Sequence, residues 1–169
     1  MKIDINKLVI NLIEKNNLDE YMNLLTITKK SMEHPEWLGD FSKEDYINLI
    51  NNNSKIYAWF YCNKMIAVGV IIPARQKDLE KFFSADLNYK EVIDFGPEMV
   101  HPDYIGNGLQ TIILKYLQRK SKEQNYKYAI STIHPDNIYS IRNFVNNNFE
   151  ILGNVELKRG PRNVYRKRL

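Results

Sequence analysis

The chain has 169 residues, 44% of them hydrophobic and 12% aromatic, which is enough to bury a core of its own. No stretch is apolar for long enough to cross a membrane, and the first residues lack the apolar core of a secretory leader. The single cysteine, Cys62, excludes an internal disulfide and a cysteine-based metal cluster, and its apolar surroundings predict that it is buried. We therefore expect one domain, residues 1–169, in the cytoplasm and without a membrane partner.

The net charge of +4 is concentrated near the C-terminus. Residues 158–168 carry six basic side chains and no acid, which leaves 18 basic and 20 acidic residues for the rest of the chain. A short basic stretch can attract phosphates, but an exposed edge strand explains it more simply. Because the remaining charge of −2 disfavours a surface that follows a nucleic-acid backbone, we expect no nucleic-acid partner.

In chain order, the first half of the sequence predicts a strand, two helices and a hairpin. Apolar residues recur at helical spacing after Leu18, and Ser42 followed by Asp45 is typical of a helix N-terminus. Two runs rich in β-branched and aromatic residues flank Asn63-Lys64, which indicates a hairpin. The predicted elements are a strand at 7–13, helices at 18–31 and 42–52, and strands at 55–62 and 65–73.

The second half begins with a polar segment, 75–89, that contains a short helical piece. A strand is predicted at 91–102, but Gly96-Pro97 lies inside it, and proline cannot donate to a sheet ladder, so we expect a bulge or a splayed pairing. The remaining elements are a helix from about 107, a strand at 126–134, a helix at 137–147, and two strands joined at Gly160-Pro161. This order predicts an α/β (mixed α+β) fold, whose central mixed, mostly antiparallel sheet has about seven strands, helices on both faces and a splayed strand pair.

Two glycines, Gly106 and Gly108, lie between the strand at 91–102 and the following helix. A glycine turn at a helix start exposes backbone N–H groups next to the positive end of the helix dipole, without side chains that would block an anion. The turn is therefore a candidate phosphate or pyrophosphate site, although tight turns of this composition are commonly structural. It matches neither a Walker loop nor the dinucleotide fingerprint, because no Gly-Lys-Ser/Thr and no third glycine follow.

The residues around this turn resemble the GNAT superfamily of acyl-coenzyme A N-acyltransferases, whose motif reads Val-x-Pro-x-Tyr-Arg/Gln-Gly-x-Gly-x-Gly/Ala before a helix. Val100, Pro102 and Tyr104 match this motif in register with the two glycines. Two positions differ from it, since Ile105 replaces Arg or Gln and Gln110 replaces the last small residue.

A second block, about 30 residues later, also resembles the family. Family members carry Asn, then Ala or Ser three residues later, Tyr seven residues later, and Gly-Phe eleven and twelve residues later. The corresponding residues here are Asn137, Ser140, Phe144, Asn148 and Phe149. Phenylalanine thus replaces the tyrosine, and asparagine, which tolerates a left-handed helix cap, replaces the glycine.

The resemblance implies that the chain uses acetyl-coenzyme A, with no metal, and transfers the acetyl group to a primary amine of a small molecule or peptide by direct attack. An alternative is a non-catalytic acyl-coenzyme A-binding regulatory module on the same fold, which Phe144, Ile105 and Gln110 favour. Members of the family often dimerise, so a homodimer is an open alternative. The cofactor-binding residues that the resemblance implies are Met99, Val100, Ile105, Gly106, Asn107, Gly108, Leu109, Gln110, Thr111, Asn137, Ser140 and Phe144.

In the family, the strand before the turn parts from its neighbour and offers a backbone N–H to the acyl carbonyl, so the acyl group is placed beside Met99 and Val100. Glu98 is the nearer candidate for the base that deprotonates the amine, and Asp94 occupies a strand position where some members carry one. Either carboxylate could instead hold a cationic substrate or pair with a lysine or arginine. Phe144 cannot protonate the leaving thiolate, which leaves water or a nearby hydroxyl for that step.

Aromatic residues supply the candidates for the amine-acceptor site. Tyr57 and Trp59 alternate along a predicted strand, and Trp37, Asp40 and Phe41 lie in the irregular segment between the first two helices. Core packing explains the strand aromatics nearly as well. No metal site is predicted, because the histidines are better explained as structural residues.

Overall fold

The computed structural model describes residues 1–39 and 41–169. Within these ranges the strands are β1 (Val9–Ile13), β2 (Lys55–Tyr61), β3 (Lys64–Pro73), β4 (Val92–Phe95), β5 (Met99–Val100), β6 (Tyr128–Ile133), β7 (Glu150–Leu157) and β8 (Gly160–Arg168). The α-helices are α1 (Leu18–Ser31), α2 (Lys43–Asn51), α3 (Gln76–Lys81), α4 (Leu109–Glu123) and α5 (Ile138–Asn146). No helix in the described part of the chain is long and apolar enough to cross a membrane.

The strands form one sheet in the order β1-β2-β3-β4-β6-β8-β7, and β5 pairs with β3 off this path. Its ladders are antiparallel where their register is given, except that between β4 and β6, which is parallel. The predicted mixed, mostly antiparallel sheet is therefore confirmed. The additional strand is the two-residue β5, which exists because the strand predicted at 91–102 is broken in two.

The chain divides into two compact units. Unit 1 contains Met1–Val70 and Pro97–Ile113, and unit 2 contains Ile71–Gly96 and Leu114–Leu169. The single domain expected from the sequence stays a prediction.

In unit 1, the helices follow their sequence signals closely. Helix α2 starts at a capping box, in which the Ser42 hydroxyl accepts from the Asp45 amide at 3.1 Å and the Asp45 carboxylate accepts from the Ser42 amide at 2.8 Å. Strand β1 starts at Val9, later than predicted, because Ile5–Lys7 forms a 3-10 turn. Helix α1 buries the stripe that its spacing predicts, Leu18, Tyr21, Leu24, Leu25 and Thr28.

In unit 2, an aromatic cluster forms part of the core. The Phe144 ring lies 4.8 Å from the ring of Phe149 and 6.2 Å from that of Tyr165, measured between centroids. Phe95 of β4 packs on the Phe149 ring at 5.9 Å. The short helix predicted within 75–89 is α3, whose Leu79 packs in a separate buried cluster of β4 and β6 side chains.

The interruption predicted at Gly96-Pro97 is a bulge. Strand β4 pairs Phe95 with Ile71, whereas β5 pairs Met99 with Val68. Between these pairs, three residues on the interrupted strand stand opposite two residues on β3, so one residue is extra. The prediction of a bulge is confirmed.

The parallel ladder between β4 and β6 is short. It ends where Asp94 stands opposite Ile130, although β6 continues to Ile133. One further bond, from the Ser131 hydroxyl to the carbonyl oxygen of Phe95 at 2.9 Å, follows the last registered pair. This early end of the ladder agrees with the splayed pairing that the sequence predicts.

Two hairpin predictions are wrong. Cys62 is exposed, because it forms the β2–β3 turn together with Asn63, with φ of 49° and 60°. We placed this turn one residue later and expected Cys62 inside the strand. The last hairpin turns at residues 158–159, and Gly160 begins β8 instead of forming the turn. In both cases the turn contains a residue, Cys62 or Lys158, that the sequence pattern had assigned to a strand.

Candidate functional site

The turn before α4 is open and rich in unbonded amides. Gly106 and Gly108 have φ of 85° and 71°, in the left-handed region that favours glycine, and a Cβ atom at either would meet nothing within 4 Å. The Ile105 amide donates to Pro102 within the preceding 3-10 turn, and the Ile112 amide donates to the carbonyl oxygen of Gly108. Within the described residues, the amides of 106–110 have no acceptor.

These consecutive N–H groups lie at the positive end of a helix of 15 residues. Helix starts leave their first amides without intrahelical partners, and side chains usually satisfy them. In this turn no side chain does so in the described structure, which makes the segment a candidate anion site.

The side chain of Asn107, between the two glycines, forms hydrogen bonds with residues far away in sequence, Met1 and Ile3. Its Nδ2 donates to the carbonyl oxygens of Tyr104 and Met1, at 2.8 Å each. Its Oδ1 accepts from the amide of Ile3 at 3.2 Å. Sequence reasoning did not detect the bonds to Met1 and Ile3, because no local pattern relates residues that are 106 and 104 positions apart.

Aromatic and basic groups of unit 1 hold the residues that precede the turn. Tyr104 is buried and packs edge-on against Tyr61 and His101, and the Lys64 ammonium lies 5.5 Å from its ring centroid. The His101 Nδ1 accepts from the amide of Asp103 at 3.3 Å. Burial and the nearby lysine lower the pKa of His101, which favours the neutral ring that this bond requires. This bond and the ring contact with Tyr104 are structural contacts of His101.

Glu98 lies in the bulge between β4 and β5. Its Oε1 is buried and has no hydrogen-bond partner among the described residues. Burial raises the pKa of this carboxyl to about 8, because desolvation disfavours the charged form. Such a group holds its proton at neutral pH and becomes a base slightly above it, which is the range that general-base catalysis requires.

Asp94 of β4 has a different environment, in unit 2. Its pKa is raised to about 7, chiefly by burial and also by the Asp78 charge, whereas the Arg75 charge acts in the opposite direction. Arg75 and Asp78 form a bidentate pair, with Nε to Oδ2 at 2.7 Å and Nη2 to Oδ1 at 3.0 Å. The surroundings of Asp94 therefore include a cation that stabilises its charge, which fits the structural alternative raised for it.

The second sequence block builds the start and the end of α5. Asn137 caps the helix, since its Oδ1 accepts from the Ser140 amide at 3.2 Å. Asn148 adopts φ of 62°, which is the left-handed cap expected from its replacement of glycine. Phe144 is buried in the aromatic cluster of unit 2, where its ring has no polar role.

The residues proposed for the acceptor site differ in accessibility. Trp59 is 0% exposed and Tyr57 is 8% exposed, so both side chains are part of the core. Trp37 is partly exposed and stacks on His34 at 4.7 Å between ring centroids. Asp40 lies outside the described residues. Within those residues, no group of three or more His, Cys, Asp or Glu side chains could hold a metal ion.

Solved structures of acetyltransferases share this arrangement of strands and helices. An acetyltransferase of the GNAT family from Streptococcus pneumoniae matches with a TM-score of 0.73 at 15% identity, over 96% of this chain and 99% of the other. The chain has the GNAT fold. Its sequence matches no family model and no curated protein.

Two further proteins with the GNAT fold match equally well. Ribosomal-protein-alanine N-acetyltransferase from Brucella melitensis has a TM-score of 0.74 at 13% identity, over 95% of this chain and 99% of the other. A GNAT superfamily phosphinothricin acetyltransferase from Sinorhizobium meliloti, in complex with acetyl-coenzyme A, has a TM-score of 0.74 at 11% identity, over 96% of this chain and 89% of the other.

Proposed function

We propose that the chain is an acyltransferase that binds acetyl-coenzyme A and transfers its acetyl group to a primary amine of a small molecule or peptide. The observation that supports this best is the run of amides without acceptors, 106–110, in an open glycine turn at the start of α4. A diphosphate is the part of coenzyme A that such amides bind, because they present several N–H groups beside the partial positive charge of a helix start. A protein of the same fold bound to acetyl-coenzyme A supports this cosubstrate.

Acetyl-coenzyme A supplies an activated thioester, and the chain's own groups perform the proton transfers around it. We assign the base to Glu98, whose Oε1 has no partner in the described residues and whose pKa is raised to about 8. It takes the proton of the amine as the amine nitrogen bonds to the carbonyl carbon and the carbon–sulfur bond breaks. A backbone N–H near Met99 and Val100 would stabilise the carbonyl oxygen, by on the order of 3 kcal/mol. Water or a hydroxyl then protonates the thiolate, since Phe144 offers no proton.

Asp94 is the weaker candidate for the base. Its pKa is also raised, to about 7, but the charge of Arg75 stabilises the ionised carboxylate, which favours a structural role. Glu98 has no such partner among the described residues. Burying an unpaired carboxyl lowers the stability of a protein, so its presence favours a functional role.

The acceptor class is proposed as a primary amine without further restriction. Proteins of the same fold are named for a ribosomal-protein alanine and for phosphinothricin, so the fold serves peptide and small-molecule acceptors. Trp37 is the most accessible of the three aromatic acceptor candidates.

A regulatory module that binds acyl-coenzyme A without turnover is the second candidate. The buried Phe144 favours it, because the position lacks an acid for the leaving thiolate. The exposed Ile105 side chain favours it too, because it brings no polar group to the turn.

Two measurements test these functions in sequence. Thermal unfolding with saturating acetyl-coenzyme A should raise the midpoint, because a ligand that binds the native state stabilises it. An unchanged midpoint would exclude both candidates. Release of free thiol with a panel of amines, compared with release in buffer alone, then separates them: turnover with any amine supports the enzyme, and binding without turnover supports the module.

A further inference from the structure

All hydrogen-bonding groups of the Asn107 side chain are used within the polypeptide. A side-chain amide has one acceptor oxygen and an NH₂ group with two donors. The oxygen accepts from Ile3, and the NH₂ group donates to Tyr104 and Met1. The backbone amide of the same residue belongs to the run without acceptors. Asn107 therefore joins two parts of unit 1, the turn and the first three residues of the chain.

The bonds from Asn107 matter because glycines flank this residue on both sides. Gly106 and Gly108 occupy left-handed φ values of 85° and 71° and are the residue type that loses most conformational entropy on ordering. If the turn were free, a bound diphosphate would have to order its amides, and that cost would weaken binding. The bonds from Asn107 fix the peptide units between the two glycines before any ligand arrives.

We infer that Asn107 is a positioning residue, which holds the amides of the turn in a diphosphate-binding arrangement by tying them to residues 1–3. The first residues of the chain are thus part of the coenzyme site although they contribute no contact to the ligand. This inference rests on the proposed function, because the ligand of the turn is taken to be coenzyme A. It explains what holds the turn in one conformation, which the sequence motif does not specify.

The test uses coenzyme A as the probe and calorimetric titration as the measurement. Asn107→Ala should raise the Kd about tenfold, which corresponds to about 1.4 kcal/mol. Ile3→Pro removes the backbone N–H that donates to Asn107 Oδ1 and should raise the Kd about threefold. Ile3→Ala, the matched control, keeps that N–H and should leave the Kd unchanged. In the double variant, Ile3→Pro should add nothing to Asn107→Ala, because the bond is already lost.

The inference would be overturned if the double variant raised the Kd by the product of the two single fold-changes. An unchanged Kd in Asn107→Ala would overturn it too. A second ligand, acetyl-pantetheine, distinguishes positioning of the diphosphate site from a purely structural role, because it lacks the diphosphate. Asn107→Ala should leave the KM for acetyl-pantetheine as an acetyl donor unchanged. Equal losses for both ligands would show general damage instead.

Amide hydrogen exchange distinguishes failure of this inference from failure of the proposed function. Without any ligand, the Ile3 amide should exchange faster in Asn107→Ala than in the wild-type chain, because its acceptor is gone. If the exchange rate rises but the wild-type chain binds no coenzyme A, the connection is present and the proposed function is wrong. If coenzyme A binds but the exchange rate does not change, the function stands and this inference is wrong.

Discussion

The starts of α4 and α5 solve the same physical problem in opposite ways. Each helix follows a strand and begins with amides that have no partner inside the helix. At α5, Asn137 places its side-chain oxygen on the Ser140 amide. At α4, the corresponding amides of 106–110 have no acceptor in the described residues, and the nearby asparagine, Asn107, turns its side chain to residues 1–3. Unbonded amides at a helix start are therefore a better indication of an anion site than a glycine-rich sequence alone.

The largest expected effect comes from closing the open helix start. Gly108→Val forces a β-branched residue into φ of 71° and displaces the amides, so coenzyme A binding should weaken more than about 100-fold. Gly160→Val is the matched control, because Gly160 has φ of 85° in the last hairpin, away from any helix start. The control should lose comparable stability by thermal unfolding but keep its Kd. Equal effects on Kd in both variants would show that strain alone explains the loss.

The next effect concerns proton transfer from the amine, for which Glu98 is the proposed base. Glu98→Gln removes the assigned base and should lower kcat about 100-fold, with the Kd for coenzyme A unchanged in titration. In the wild-type chain, kcat/KM should rise with pH through about 8, as the carboxyl of Glu98 loses its proton. A variant with the wild-type rate and the same pH profile would show that the amine's own ionisation sets the profile and that Glu98 is not the base.

A smaller effect is expected at the closed helix start. Asn137→Ala removes the cap of α5 and should lower the free energy of unfolding by about 1 kcal/mol. Asn137→Asp, which retains an acceptor oxygen and adds charge favourable to the helix dipole, should recover most of that stability in denaturant titrations. No recovery would mean that the side-chain oxygen is not what stabilises the helix.

The last expected effect is a pH-dependent difference in stability between the wild-type chain and Glu98→Gln. The folded carboxyl has a pKa of about 8, whereas its ordinary value is 4.5, so the folded state keeps a proton that the unfolded state releases between these two values. The stability that this proton contributes is complete below the unfolded pKa and is lost as pH rises through the folded one. The Tm of the wild-type chain should therefore fall relative to that of the variant from about pH 5 to about pH 9. Glu156→Gln, at an exposed position, is the control, and the same trend there would contradict the assignment.

Much of the fold follows from local patterns in the sequence. The apolar stripe of α1, the capping box of α2 and the proline in the interrupted strand each act within a few residues, so sequence analysis detects them. The hairpin turns were placed wrongly because Cys62 and Gly160 have neighbours that suit either a strand or a turn, and pairing across the sheet decides between these.

The candidate site is predictable only in part. The glycines and the two sequence blocks locate the turn and α5, but the raised pKa of Glu98 depends on burial by residues distant in sequence. The bond between Asn107 and Ile3 has no local signal at all. For the acceptor, alternation along β2 identified Trp59 and Tyr57 without showing that both side chains are in the core.

The extra residue in the interrupted strand has a consequence for insertions and deletions. Side chains alternate between the two faces of a sheet, so Asp94 and Met99, five positions apart, would point to opposite faces of an uninterrupted strand. Because their partners on β3, Ile72 and Val68, are four positions apart, both point to the same face. Deleting Gly96 would leave Asp94 and Met99 four positions apart, as their partners are, so Met99 and Val100 would keep their faces and the strand would pair with β3 without the bulge that contains Glu98.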